Sequence, residues 1–150
     1  MKKVLIVYKS KFGNTKHMAE AIGEGITQAD RENEIIISQV EDVDTVTTQD
    51  YDVIVIGSPC HKGHPDKAIM KFIGDLGIVN LNNVKLAAFE TCPAKELGNV
   101  IKQMGERMAE KTEDVLIVSP GLSIEEQDRK TDLLDDTYDK CREFGAGLVN

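Results

Sequence analysis

Three short segments carry the residues best suited to chemistry. The first, Ser10-Lys11-Phe12-Gly13-Asn14-Thr15, combines hydroxyl and amide side chains with one glycine. At the start of a helix such a segment cradles an anion, because the first N–H groups of a helix lack intrahelical partners and its dipole favours negative charge there. Gly13 permits close approach by the backbone. The segment does not end in Gly-Lys-Ser/Thr, as a nucleotide P-loop would, and its single glycine does not make a dinucleotide fingerprint. The same residues suit an ordinary helix cap through Asn14 or Thr15, so both readings stand at this point.

The second segment is Gly57-Ser58-Pro59-Cys60-His61-Lys62-Gly63 and the third is Glu90-Thr91-Cys92-Pro93-Ala94. His61 brings an imidazole whose charge changes near neutral pH. The three cysteines, Cys60, Cys92 and Cys141, form neither an even set nor a Cys-x-x-Cys pair, which argues against a disulfide framework or a zinc site. Reduced thiols that fill space are the ordinary expectation, with thiol redox chemistry at Cys60 and Cys92 as the sharper alternative.

These segments must be positioned by what lies between them. Lys3 to Tyr8 is an aliphatic run expected of a parallel strand buried on both faces. Met18, Ile22 and Ile26 then recur at helical spacing from Thr15 onward. Glu34 to Val40 and Asp52 to Gly57 read as the second and third strands, joined by an acidic connection or small helix. Ile69, Phe72, Ile73 and Leu76 mark a helix, Val84 to Phe89 a fourth strand, and Leu97, Val100, Ile101, Met104 and Met108 another helix. Val115 to Val118 is the fifth strand. The last helix runs from about Thr131, with Leu134, Tyr138, Cys141, Gly145 and Leu148 on one face, which makes Cys141 a packing residue.

Strand alternating with helix implies right-handed crossovers, a parallel sheet and helices on both faces. In such doubly wound folds ligands bind beyond the carboxyl ends of the strands, where strand order reverses, and the three segments fall there. The 150 residues suit one domain. The net charge of −8 argues against nucleic-acid binding. No apolar stretch approaches the roughly 20 residues that cross a bilayer, and Val4 to Val7 is too short for a signal-peptide core, so a cytoplasmic address is expected.

Tyr8-Lys9-Ser10-Lys11-Phe12-Gly13-Asn14-Thr15 followed by a helix resembles the phosphate loop of flavodoxins, Ser/Thr-x-x-Gly-Asn/x-Thr. The resemblance implies that Ser10, Asn14 and Thr15 bind the FMN phosphate through side chains and Lys11, Phe12 and Gly13 through backbone amides. Lys9 stays outside. The second segment is similar to the family's Gly-Ser/Thr-Pro-Thr-Tyr-x-x-Gly loop, which implies Ser58 and Pro59 near the ribityl chain and Cys60 and His61 near the ring. The Lys62-Gly63 peptide would face flavin N5, where a flip lets its carbonyl accept a hydrogen bond after reduction, and glycine makes that flip cheap. Cys60 stands where threonine is usual and His61 where an aromatic is usual; the imidazole suggests pH-dependent potentials.

The third segment lacks the family's aromatic sandwich, leaving Thr91, Cys92 and Pro93 as site residues with thinner ring stacking. Overall the resemblance implies a flavodoxin-like α/β three-layer sandwich, five parallel strands in the order 2-1-3-4-5, of the short-chain class because strand five carries no long insertion. It implies an FMN-binding, low-potential electron carrier, monomeric, passing electrons between redox proteins. Glu125, Glu126, Asp128, Asp132, Asp135 and Asp136 either offer basic partners an acidic docking surface or form only a solvated face. Two alternatives are an FMN-dependent NAD(P)H:quinone-type reductase, for which no substrate cavity is evident, and a flavodoxin-like binding module that has lost FMN.

Overall fold

A computed structural model describes residues 1–128 and 132–150. Six strands, β1 (Lys3–Tyr8), β2 (Glu34–Gln39), β3 (Val53–Pro59), β4 (Val84–Cys92), β5 (Val115–Ile117) and β6 (Leu122–Glu125), form one sheet. Four helices accompany them: α1 (Asn14–Ala29), α2 (Lys67–Leu76), α3 (Asn99–Lys111) and α4 (Asp135–Val149). Strand order is β2-β1-β3-β4-β5, all parallel, with β6 also parallel to β4. The expected order is therefore met, with one strand added.

The added strand explains itself through register. Val84, Lys85 and Leu86 pair with β5, whereas Phe89, Glu90, Thr91 and Cys92 pair with β6. Both lie along the same edge of β4, as one edge strand interrupted at 118–121. The fourth strand was expected to stop at Phe89; it runs on through Glu90, Thr91 and Cys92, so most of the third segment is strand.

Alternation along the central strands splits the core in two. Ile54 and Ile56 of β3 and Leu86 and Ala88 of β4 pack with Ile69, Phe72, Ile73, Leu76, Val100, Met104 and Met108 of α2 and α3. Val53, Val55, Ala87 and Phe89 face the other way, onto Met18, Ile22 and Ile26 of α1 and Cys141 and Leu148 of α4. Burial on both faces is why these strands read as unbroken aliphatic runs.

Some boundaries differ from expectation. Val40 begins a short 3-10 turn instead of ending β2, and a second 3-10 segment, Thr45–Asp50, leads to β3. β3 extends past Gly57 to Pro59. Leu97 precedes α3 and is exposed, and Leu134 precedes α4 and is exposed while its neighbour Leu133 is buried. The helix start expected at about Thr131 lies outside the described residues.

α1 and α4 touch backbone to backbone. A Cβ on Gly25 would fall 2.0 Å from the Arg142 carbonyl oxygen, and one on Gly145 2.2 Å from that of Ile22. Gly147, in the same helix, has nothing within 4 Å of its would-be Cβ. Chemical denaturation should therefore separate the two positions: Gly145→Ala lowers stability by about 1–3 kcal/mol through overpacking. Gly147→Ala should raise it by about 0.5–1 kcal/mol through helix propensity.

Candidate functional site

β1 and β3 are neighbours at the centre of the sheet, yet α1 packs on one face and α2 on the other. The crevice between their diverging connections is the place where a doubly wound sheet binds ligands. β4 adds the third wall.

The first wall is built by residues 9–13. Lys9 N–H donates to Gly57 carbonyl oxygen at 3.2 Å, holding the segment to β3, and its ammonium pairs with Glu41, away from the crevice. Ser10 Oγ accepts from Gly13 N–H at 3.0 Å. Gly13, at φ 106°, sits in the left-handed region and precedes α1, which begins without a side-chain cap. The ordinary-cap reading of Asn14 and Thr15 is thereby removed. Both are buried and turned elsewhere: Asn14 Nδ2 donates to Glu126 Oε2 at 3.2 Å, and Thr15 Oγ1 lies 3.5 Å from Thr91 Oγ1 on β4. His17 lies beside Gly13, and its Nδ1 is a buried nitrogen without a hydrogen-bond partner among the described residues.

The second wall is a tight turn. His61 and His64 exchange backbone hydrogen bonds of 2.8 and 3.1 Å, and Lys62 and Gly63 between them have φ of 53° and 83°, the signs a type I′ turn requires. Gly63 N–H donates to Cys60 Sγ at 3.2 Å, and the Cys60 thiol donates to Glu96 Oε2 at 3.1 Å. In a trans peptide the N–H and C=O point oppositely, so the Lys62 carbonyl is turned away from Cys60. Gln103 Nε2 donates to Gly63 carbonyl oxygen at 2.7 Å, tying the turn to α3. His61 Nε2 lies 2.9 Å from Asp66 Oδ2, and Asp66 also caps α2 through Oδ1. Ser58 is fully buried, accepting from Asp66 N–H at 2.9 Å and donating to Pro59 carbonyl oxygen at 2.8 Å. It braces the turn from beneath.

The third wall depends on Glu90, a fully buried carboxylate. Oε1 accepts from Ile101 N–H at 2.9 Å and Oε2 from Gly98 N–H at 2.6 Å, with Ser123 Oγ as a third donor. Gly98 has no side chain to cap α3, so Glu90 supplies the cap from a neighbouring strand and ties β6 to it. Cys92 and Cys60 lie in the core layer shared with α2 and α3, fully or almost fully buried. None of the three cysteines is in a disulfide, and burial is the first cause that pushes each thiol's pKa up, to about 12 for Cys141. They are protonated at neutral pH, which suits packing and disfavours nucleophilic chemistry.

Ser10, Lys11, Phe12, Asn14, Thr15, Pro59, His61 and Thr91 converge on one small cavity of about 30 Å3, and Glu126 completes it. Gly13 lies between two of these lining residues, Phe12 and Asn14, without lining the cavity itself. Ser58, Cys60, Gly63 and Cys92 are buried outside its lining, Lys62 is exposed on the turn, and Pro93 is exposed just past the strand end. Glu126 corrects one expectation, since at 6% exposure it belongs to this cavity and not to an acidic docking surface. Neither Glu90 nor Glu126 was found by motif. A carboxylate inside the apolar run Leu86 to Cys92 was the available signal for Glu90, and Glu126 had none, being 112 residues from Asn14. Among the described residues no cluster of His, Cys, Asp and Glu is arranged to hold a metal, and no helix is long and apolar enough to cross a membrane.

Comparison with known proteins agrees with this architecture. A family model for the flavodoxin domain matches residues 5–118. The chain superposes on an archaeal flavodoxin with a TM-score of 0.83 at 26% identity, over 97% of this chain and 95% of that one. Oxidised flavodoxin 1 of Bacillus cereus gives 0.81 at 25% identity, over 98% and 97%. The flavodoxin of Streptococcus pneumoniae TIGR4, at 15% identity and a TM-score of 0.80 over 98% and 97%, shares the fold. No curated protein sequence matches.

If Glu90 anchors the third wall, Glu90→Gln should lower stability in urea unfolding by about 2 kcal/mol, the scale of hydrogen bonds to a charged group. Amide exchange at Gly98 and Ile101 should accelerate with it. Unchanged exchange there would remove Glu90 from the role of cap.

Proposed function

The chain belongs to the flavodoxin family, and from that footing we propose that it binds one FMN in the crevice and carries electrons, one at a time, between redox proteins. The observation that carries the proposal is the convergence of residues from three separate strand ends on one cavity beside the uncapped start of α1. The donor set suits a phosphate, because neutral hydroxyls, an amide side chain and helix N–H groups are there, and Asn14 already holds an anionic oxygen.

Ser10, Asn14 and Thr15, with the amides of Lys11, Phe12 and Gly13, would hold the phosphate. Pro59 and Thr91 would border the sugar chain, braced by Ser58, and Phe12 and His61, both part-exposed at the rim, would flank the ring. FMN, when bound, supplies the one-electron chemistry. The protein's own part is to fix the ring's surroundings: Cys60 holds the Lys62-Gly63 peptide through its N–H, Gln103 holds the following peptide through the Gly63 carbonyl, and Asp66 orients His61. The peptide's orientation is soft, since a thiol acceptor at 3.2 Å is a weak hold and Gly63 tolerates either hand of backbone. Its reorientation would favour one redox state by the strength of a single hydrogen bond, about 1 kcal/mol.

We read the chain as one monomeric, cytoplasmic domain whose net charge of −8 suits basic redox partners. The small volume of the cavity also favours a second reading, a flavodoxin-like module without FMN. Visible spectroscopy during anaerobic reduction decides between them. FMN should bind and accept electrons in two resolved one-electron steps, whereas protein that leaves the spectrum of added FMN unchanged belongs to the second reading.

His61→Ala extends the same experiment. An imidazole held by Asp66 at the rim of the cavity contributes to the field at the ring, so wild-type potentials should differ measurably from the variant's. Equal potentials would leave His61 without an electronic role.

A further inference from the structure

Glu126 follows β6 directly, and its N–H donates to Cys92 carbonyl oxygen at 3.0 Å, which pins its backbone to the end of β4. Its side chain turns into the cavity lined by Ser10, Asn14 and Thr15 and takes the Asn14 amide as donor. Among the described residues no lysine, arginine or histidine forms an ion pair with it. A buried carboxylate without a cation is costly unless polar groups replace its water. The side-chain amide of Asn14, the first residue of α1, is the donor here, at the end of that helix where the dipole is positive. That donor and that helix end are also what a phosphate would need.

The cavity holds about 30 Å3, space for little more than a water molecule and too little for a phosphate. Nor can the two anions share it, since a phosphate ester carries a charge of about −1.5 to −2 at neutral pH and like charges in a partly dry site repel strongly. There is somewhere for the side chain to go. Glu126 also borders a second cavity of about 310 Å3, on whose wall Ser123, Thr137 and Lys140 stand alongside Glu125, Asp132 and Asp136.

Resting on the FMN reading above, the geometry points to Glu126 as a specificity-determining residue: its carboxylate stands in for the cofactor's phosphate, and phosphate enters only as that side chain leaves toward the neighbouring cavity. The consequence is a muted preference for FMN over riboflavin, the same ring and sugar chain without the phosphate. The charge of Glu126 opposes FMN and is indifferent to riboflavin.

The test uses fluorescence titration of cofactor-free wild type, Glu126→Gln and Glu126→Ala with FMN and with riboflavin, each protein first checked for a cooperative thermal transition. Glu126→Gln keeps the shape and removes the charge, and should bind FMN about tenfold tighter or more while riboflavin affinity changes by less than about threefold. Glu126→Ala should order the two flavins in the same way and stands in if the glutamine variant fails to fold. Inorganic phosphate should compete with FMN more effectively in both variants than in wild type.

Unchanged or weaker FMN binding in folded variants, or an equal gain for riboflavin, would overturn the inference while leaving FMN binding by the wild type intact. If wild type and variants alike bind neither flavin, the FMN reading itself fails and takes this inference with it.

Discussion

Helices α1 and α3 begin at the carboxyl edge of the sheet, and each presents N–H groups and a positive dipole end that need negative charge or acceptors. Neither starts with a side-chain cap of its own, because a glycine with positive φ precedes each. α3 meets its need permanently with Glu90, which has three donors on its two oxygens. α1 has no side-chain cap, and Glu126 stands beside its start, held by the Asn14 side-chain amide across 3.2 Å. The difference between a triply bonded anion and a lightly held one separates the structural end of the crevice from the end that can exchange its anion.

The remaining walls follow from that arrangement. Glu90 fixes where α3 starts, α3 carries Gln103, and Gln103 holds the Gly63 carbonyl, so the His61–His64 turn is referred through α3 back to β4. The turn's other hold is Cys60, whose sulfur accepts from Gly63 while its thiol donates to Glu96. Cysteine at this position therefore has a positioning use although burial keeps it protonated. Sulfur is a weaker acceptor than a hydroxyl oxygen, which leaves the Lys62-Gly63 peptide easier to turn.

Much of this was legible in the residues. β1 and the helix cores were written in aliphatic runs and helical periodicity strong enough to survive any local context, and the segment that leads into α1 was written in a contiguous motif. The misreadings share a cause. Glu90-Thr91-Cys92 looked like a loop because a carboxylate and a hydroxyl interrupt apolar strand patterning, yet each finds buried partners that only the folded chain supplies. β6 was missed because four residues after a glycine and a proline carry too little periodicity to register. Leu97 and Leu134 were assigned to helix faces by spacing alone, whereas the helices begin later. Glu126 was read as one of a run of surface acids, and no local rule connects it with a loop 112 residues earlier.

On the FMN reading, the start of α1 is an anion site beside which Glu126 stands until the cofactor's phosphate takes its place. A crystal structure of the protein grown with FMN tests it directly. The phosphate should lie within hydrogen-bond distance of Ser10, Asn14 and Thr15, with the Glu126 side chain beyond reach of Asn14. A flavin bound with its phosphate elsewhere, or Glu126 still bonded to Asn14 beside a bound phosphate, would contradict it.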